Sequence, residues 1–267
     1  MNKESRLQEA YLSRLEKQRR KIMAARILLA LAFFLLWETA ADRGWIDSFF
    51  FSSPSRLGRL FLSMWRDGSL FLHVGITLTE TLVSFALVVV IGLAVSLLLW
   101  LSDSVFQVLE PYLVILNSLP KSALAPLLIV WLGANSRTII VAGMSVAIFG
   151  TILNLYTGFT ETSREKIRLI YTLHGTKKDA LTKVVLPSTV PMIISIMKVN
   201  IGLCLVGVVI GEFIGARNGL GYLIIYGSQV FQLDLVILSI LILCLMAMLL
   251  YGGGTAAEKL YHRRQHA

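Results

Sequence analysis

Residues 85–101 read FALVVVIGLAVSLLLWL, without one ionisable side chain. A helix built from that run is apolar on every face and needs either a large protein or lipid around it. With 267 residues in all, the chain is too short to bury several such helices in a soluble core. Working outward, the pattern recurs at 22–41, 76–101, 105–132, 138–159, 190–214 and 235–254, each near the roughly 20 apolar residues that cross a bilayer. The composition agrees: 56% hydrophobic and 15% charged, against about 45–50% and about 25% in soluble domains, with a mean hydropathy of +0.73. The fold class expected is an all-α membrane protein of about six transmembrane helices. Glu38 lies near the end of the first span, and the third carries Pro111, Pro120 and Pro126, which predict a kinked or broken helix that a bundle tolerates.

Orientation follows from the lysines and arginines. With the N-terminus inside, 17 of the 25 fall on the cytoplasmic side and six outside, and Lys121 and Lys198 lie within spans. That bias predicts both termini in the cytoplasm. It also accounts for the net charge of +9 as an orientation signal, so nucleic acid is not an expected partner. Residues 1–26 read as a basic, amphipathic cytoplasmic segment with Leu7, Tyr11, Leu12 and Leu15 among charges, 27–254 as the transmembrane domain, and 255–267 as a basic cytoplasmic tail. The run of mixed charge before the first apolar stretch does not read as a cleavable signal peptide. Outside, Leu57, Leu60, Phe61, Met64 and Trp65 have helical spacing and predict an interfacial helix over 54–72.

The most informative segment is polar. Between the fourth and fifth spans lies a cytoplasmic loop, 160–189, far longer than a connector requires. It is interrupted by His174-Gly175 and ends in Val184-Val185-Leu186-Pro187. Glycine lets a chain leave a helix and proline favours a helix start, so helix, turn, helix is expected there, projecting from the membrane as a docking element.

The run from Thr172-Leu173-His174-Gly175-Thr176-Lys177-Lys178 to Lys183-Val184-Val185-Leu186-Pro187 resembles the EAA loop of binding-protein-dependent ABC importer permeases. Where that family carries Glu-Ala-Ala this chain has Arg168-Leu169-Ile170, and His174 falls at the family's glycine, so the second half is the matching part. His73…Thr77-Leu78, Asn117-Ser118-Leu119-Pro120-Lys121, Gly211-Glu212-Phe213 and Gly219-Leu220-Gly221-Tyr222-Leu223-Ile224 extend the resemblance over nearly all of the chain after residue 50. The subgroup it is most similar to comprises nitrate, sulfonate and taurine permeases, with importers of pyrimidine vitamin precursors.

The resemblance implies a type I ABC importer (MetI-like) transmembrane fold in a bacterial inner membrane. It implies a permease homodimer, two cytoplasmic ATP-binding subunits that hold ATP and Mg2+, and an extracytoplasmic substrate-binding protein. The coupling-loop residues expected to face the ATPase are Leu169, Ile170, Leu173, His174, Gly175, Lys177, Lys178, Ala180, Leu181, Leu186 and Pro187. The substrate expected is a small anion or zwitterion or a pyrimidine precursor. The chain lacks a Gly-x-x-x-x-Gly-Lys-Ser/Thr phosphate loop, so it is expected to be non-catalytic, with no cofactor of its own.

A charge within a span costs roughly 2.5–3.5 kcal/mol on insertion scales, so it normally faces protein or water. Lys121, after Pro120 and near Asn117, is therefore a candidate for the pathway wall. Lys198 either joins it or snorkels to the boundary, and Glu212, near an outer end, is a candidate gate or pairing group. Gly211, Gly215, Gly219 and Gly221 suggest a short re-entrant or outer-interface helix, or a glycine-rich loop. Cys204 and Cys244 lie in apolar runs. The four histidines, His73, His174, His262 and His266, are scattered, so neither a metal site nor nucleophilic catalysis is expected. The alternatives are a stand-alone channel or secondary transporter, which usually carries a mid-membrane carboxylate or an internal repeat, and a scaffold whose loop docks another partner.

Overall fold

The computed structural model describes residues 3–265, with side chains from Lys17 onward except Ala257, Leu260, His262, Arg264 and Gln265. The expected apolar face of Leu7, Tyr11, Leu12 and Leu15 lies outside the described side chains. The chain divides into two compact units, residues 1–63 and 64–267.

In the first unit, α1 (Lys3–Asp42) runs unbroken through the boundary expected at residue 26, because no glycine or proline interrupts it. A short α2 (Ser48–Phe51) follows, then α3 (Pro54–Arg66), which crosses into the second unit. Glu38 is tied down here: its Oε2 accepts from the Ser55 amide at 3.0 Å, one of the donors left open in the first turn of α3. Trp37 Nε1 donates to the Phe51 carbonyl at 3.2 Å. The helix expected over 54–72 stops at Arg66, because Gly68 takes a left-handed conformation (φ 79°) and starts α4 (Ser69–Leu101).

The second unit continues with α5 (Asp103–Ser118), α6 (Lys121–Leu132), α7 (Ser136–Thr160), α8 (Arg164–Thr172), α9 (Lys177–Ala180), α10 (Leu186–Gly215), α11 (Leu220–Gln229) and α12 (Leu233–Gln265). Among the described residues five helices are long and apolar enough to cross a membrane, or six if α5 and α6 count as one broken span. Those two meet at 96°. Pro120 drives the residue before it out of the helical region, and Leu119 accordingly sits at φ −61°, ψ 139°.

Two serines set the register of α4 on α7. Ser84 Oγ donates to its own i−4 carbonyl at 2.7 Å and to Ile140 O at 2.9 Å. Ser96 repeats the pattern, reaching Gly92 O at 2.6 Å and Ile152 O at 3.3 Å. The constant offset shows that α4 and α7 run parallel. Helix α10 runs antiparallel to α7: a Cβ on Gly207 would lie 2.8 Å from Gly143 Cα, and one on Gly211 would lie 3.3 Å from Ile139 Cα. Interhelical hydrogen bonds in membranes average about 0.6 kcal/mol, and close packing of small residues adds to them. The unit has a latch end, at Ser69, Ser136 and Gly215, and a loop end, at Leu101, Thr160 and Leu186. The core at the loop end contains Trp100, Leu155, Phe159, Ala180, Leu181, Val185 and Met197.

Candidate functional site

Helix, turn, helix is the shape that forms between α7 and α10. Leu173 N donates to Leu169 O, His174 N to Tyr171 O, and Gly175 N to Ile170 O at 2.9 Å. The residue in the left-handed region is His174 (φ 60°) and not Gly175. His174 occupies the position matched above to the family's glycine, and histidine is among the residues that enter that region more readily than most. Gly175 serves close approach instead, since a Cβ there would stand 2.5 Å from Ile170 Cγ2.

A reciprocal cap starts α9. Asp179 N donates to Thr176 Oγ1 at 3.2 Å, and Thr176 N donates to Asp179 Oδ2 at 2.9 Å. The Thr176 bonds and then Lys183, at 3.0 Å, hold the Asp179 carboxyl well below the usual carboxylate range. The backbone then passes through a π-helical turn, Leu181–Val185, into α10. Pro187 takes the expected place in the first turn of α10, and the π-turn joins that helix to α9 so that residues 177–215 form one continuous rod. In the wide turn the Leu186 amide reaches back five residues to Leu181 O, which helps the rod run past a proline that lacks an amide of its own.

The loop residues face in two directions. Leu169 (59% exposed), Leu173 (70%) and Tyr171 (45%) form an apolar tip, with His174 and Lys178 exposed around it. Ala180 and Leu181 point inward into the core, with Ile170 and Leu186 packed against it; Pro187 is exposed. Lys177 reaches Asp103 Oδ1 at 3.4 Å and lies over the Trp100 ring at 5.5 Å, so it binds the loop to the α4–α5 junction.

Midway along the unit, a cavity of about 340 Å³ lies between α5, α7 and α10, lined among others by Asn117, Gly150, Asn154, Ser195, Val199 and Asn200. Asn200 is buried and donates Nδ2 to Thr151 Oγ1 at 2.7 Å. Beside it, Pro120 forms the α5–α6 bend, and the Lys121 ammonium folds back onto the carbonyls of Leu116 (3.3 Å) and Asn117. Lys198 pairs with Glu258 on α12 at 2.7 Å and lies over Tyr251.

At the latch end Glu212, fully buried, joins three elements. Its Oε1 accepts from Thr77 Oγ1 on α4 at 2.6 Å and its Oε2 from Gly221 N at the start of α11, also at 2.6 Å. Thr77 Oγ1 in turn accepts from Leu220 N at 2.8 Å, and His73 Nδ1 accepts from Gly219 N at 3.0 Å. Gly219 has φ 112°, and a side chain on Gly219 or Gly221 would enter the Glu212 carboxylate. The glycine-rich stretch is thus a turn wrapped around a buried carboxylate, leading into a ten-residue helix. Glu80 is buried one turn beyond Thr77 and faces the Ser136 and Glu212 side chains, although neither of its oxygens has a well-formed hydrogen bond among the described residues. It lines a second cavity, of about 190 Å³, with Asn135, Ser136, Arg217 and Asn218 among its other walls.

Asn154, Ser195 and Asn200 are not among the residues expected above, because their signal is only a polar residue in an apolar run. Nor is Glu80, which His73, Thr77, Thr81 and Ser84 mark as part of a polar stripe at helical spacing.

Residues 88–264 match the profile of a family described as binding-protein-dependent transport system inner membrane component. A probable ABC transporter permease protein of Haemophilus influenzae is 30% identical, over 84% of this chain and 91% of its own length. The formylaminopyrimidine transport permease protein ThiX of Halalkalibacterium halodurans is 28% identical over 73% and 77%, and the taurine transport system permease protein TauC of Escherichia coli is 24% identical over 84% and 83%. Among solved structures, an inward-facing form of the MetNI methionine ABC transporter superposes with a TM-score of 0.61 at 20% identity, over 70% of this chain and 94% of that one. That likeness shows the MetI-like fold.

Proposed function

The chain belongs to the family of binding-protein-dependent transport system inner membrane components, and from that membership we propose how this multi-pass ABC importer permease subunit is driven. Residues 161–187 dock on a cytoplasmic ATP-binding subunit through the tip of Leu169, Tyr171, Leu173, His174 and Lys178. Two copies of the chain enclose the path, the charge bias places both termini in the cytoplasm, and an external binding protein delivers the solute at the latch end. ATP and Mg2+ reside on the partner subunits, and this chain performs no chemistry of its own. The solute is small and polar, of the class spanning sulfonates, taurine, nitrate and pyrimidine precursors, in keeping with the names of the relatives.

The observation that carries the reading is the tip. Three large apolar side chains stand exposed on a capped, hydrogen-bonded loop rich in basic residues, where a partner's groove is the ready explanation for them. The test is co-purification of the ATPase with Leu173→Glu. Leu173 is exposed, so the variant should fold and melt normally, yet ATPase recovery should fall at least tenfold. Undiminished recovery would overturn the docking role.

A further inference from the structure

We propose that the cavity between α5, α7 and α10 is a solute chamber for an uncharged molecule carrying both hydrogen-bond donors and acceptors, and not for an anion. The inference rests on the permease reading above and narrows its solute class. At about 340 Å³ the chamber falls within the usual range of about 300–1,000 Å³ for small-molecule sites. Its polar lining is amide and hydroxyl only: Asn117, Asn154, Ser195 and Asn200, with no ionisable side chain. Asn154 lies one helical turn from Gly150 on α7, and Ser195, Val199 and Leu203 lie one turn apart on α10, so each helix offers one face.

These polar groups are unspent. Among the described residues the side-chain oxygens and nitrogens of Asn117 and Asn154 and the Ser195 hydroxyl have no hydrogen-bond partner, and Asn200 uses Nδ2 on Thr151 and Met197 while its Oδ1 stays open. Asn117, Asn154 and Ser195 are exposed on the protomer, and amides left unmet at membrane depth are costly, so in the reading above they face the path that two copies enclose. An asparagine offers a donor pair beside an acceptor, which suits the edge of a neutral heterocycle. An anion would meet the acceptors as well, and no charged side chain lines the chamber to replace its hydration. Of the two lysines within the spans, Lys198 is neutralised by Glu258 and Lys121 is turned away onto the α5 carbonyls.

The experiment measures equilibrium binding of radiolabelled cytosine, taurine and nitrate to the permease–ATPase complex in nanodiscs, without the binding protein. Cytosine, an uncharged aminopyrimidine, should bind saturably and at least tenfold more tightly than the other two. Asn154→Leu and Ser195→Ala should each weaken it several-fold with unchanged melting temperature, and Lys121→Met should leave it unaltered. Tighter binding of nitrate or taurine, no saturable cytosine binding, or wild-type cytosine affinity in Asn154→Leu would overturn the proposal. ATPase co-purification and hydrolysis in the same preparation report on the permease reading separately, so failure of either inference is recognisable.

Discussion

At the scale of the residue, Glu212 is fully buried and held from two other elements. Its oxygens accept from the Thr77 hydroxyl and the Gly221 amide, and removing them leaves the buried Gly221 amide unmet at about 1–3 kcal/mol. Glu212→Ala should therefore lower the melting temperature in detergent. Glu212→Gln can keep its carbonyl on the Gly221 amide and turn its NH2 to the Thr77 hydroxyl, which accepts as well as donates, so it should melt close to wild type. Gly221→Ala should be about as costly as Glu212→Ala for another reason: its Cβ would lie 2.7 Å from Glu212 Oε2, and overpacking of this kind costs about 1–3 kcal/mol. At Gly219 the three atoms nearest an added Cβ all belong to the Glu212 carboxyl group, so Gly219→Ala made on a Glu212→Ala background should cost clearly less than it does alone, with the strain of the φ of 112° remaining. Strict additivity in this cycle would mean that the turn is not built around Glu212.

At the scale of the element, α9 has only four residues and depends on its cap. Thr176→Val keeps the shape but removes the hydroxyl that meets Asp179, which should cost about 1 kcal/mol. Hydrogen exchange should report this as faster exchange at Asp179 and Ala180, with the amides of α7 unchanged. Equal protection in wild type and variant would show that burial of Ala180 and Leu181, and not the cap, holds the element. Elements such as this show which parts of the fold can be read in a sequence. The spans were legible because an apolar run near bilayer length has few other fates, and the α5–α6 break was legible from Pro120. The loop's helix, turn, helix could be read from its length and from His174-Gly175, but the left-handed residue could not, since a glycine beside it is the cheaper choice locally. Pro187 marked the first turn of α10 but not the π-turn before it, whose Leu181 and Val185 are buried in the core in a way that sequence periodicity does not report. The partners of Lys121, Lys198 and Glu212 were out of reach for a related reason: they lie on other helices, or on a turn whose path is known only once folded.

At the scale of the whole second unit, the exposed tip and the buried latch are linked by one rod. Residues 177–215 make 39 helical positions without a break, about 58 Å at 1.5 Å per residue, and the amide-lined chamber lies along its middle. A rod of this kind transmits displacement only as well as it resists bending. Docking and transmission should therefore be separable by softening the rod while leaving both ends intact. Ser188 and Val190 lie between the π-turn and the chamber, and Gly at each costs about 1 kcal/mol of helix stability relative to Ala. Ser188→Gly with Val190→Gly should leave ATPase co-purification and basal hydrolysis as in wild type, while stimulation of hydrolysis by the loaded binding protein falls several-fold. The matched pair Ser188→Ala with Val190→Ala removes the same side chains but keeps the helix stiff, and it should be stimulated normally. If the alanine pair fails as badly as the glycine pair, the lost side chains are responsible and the rod is not the transmitting element.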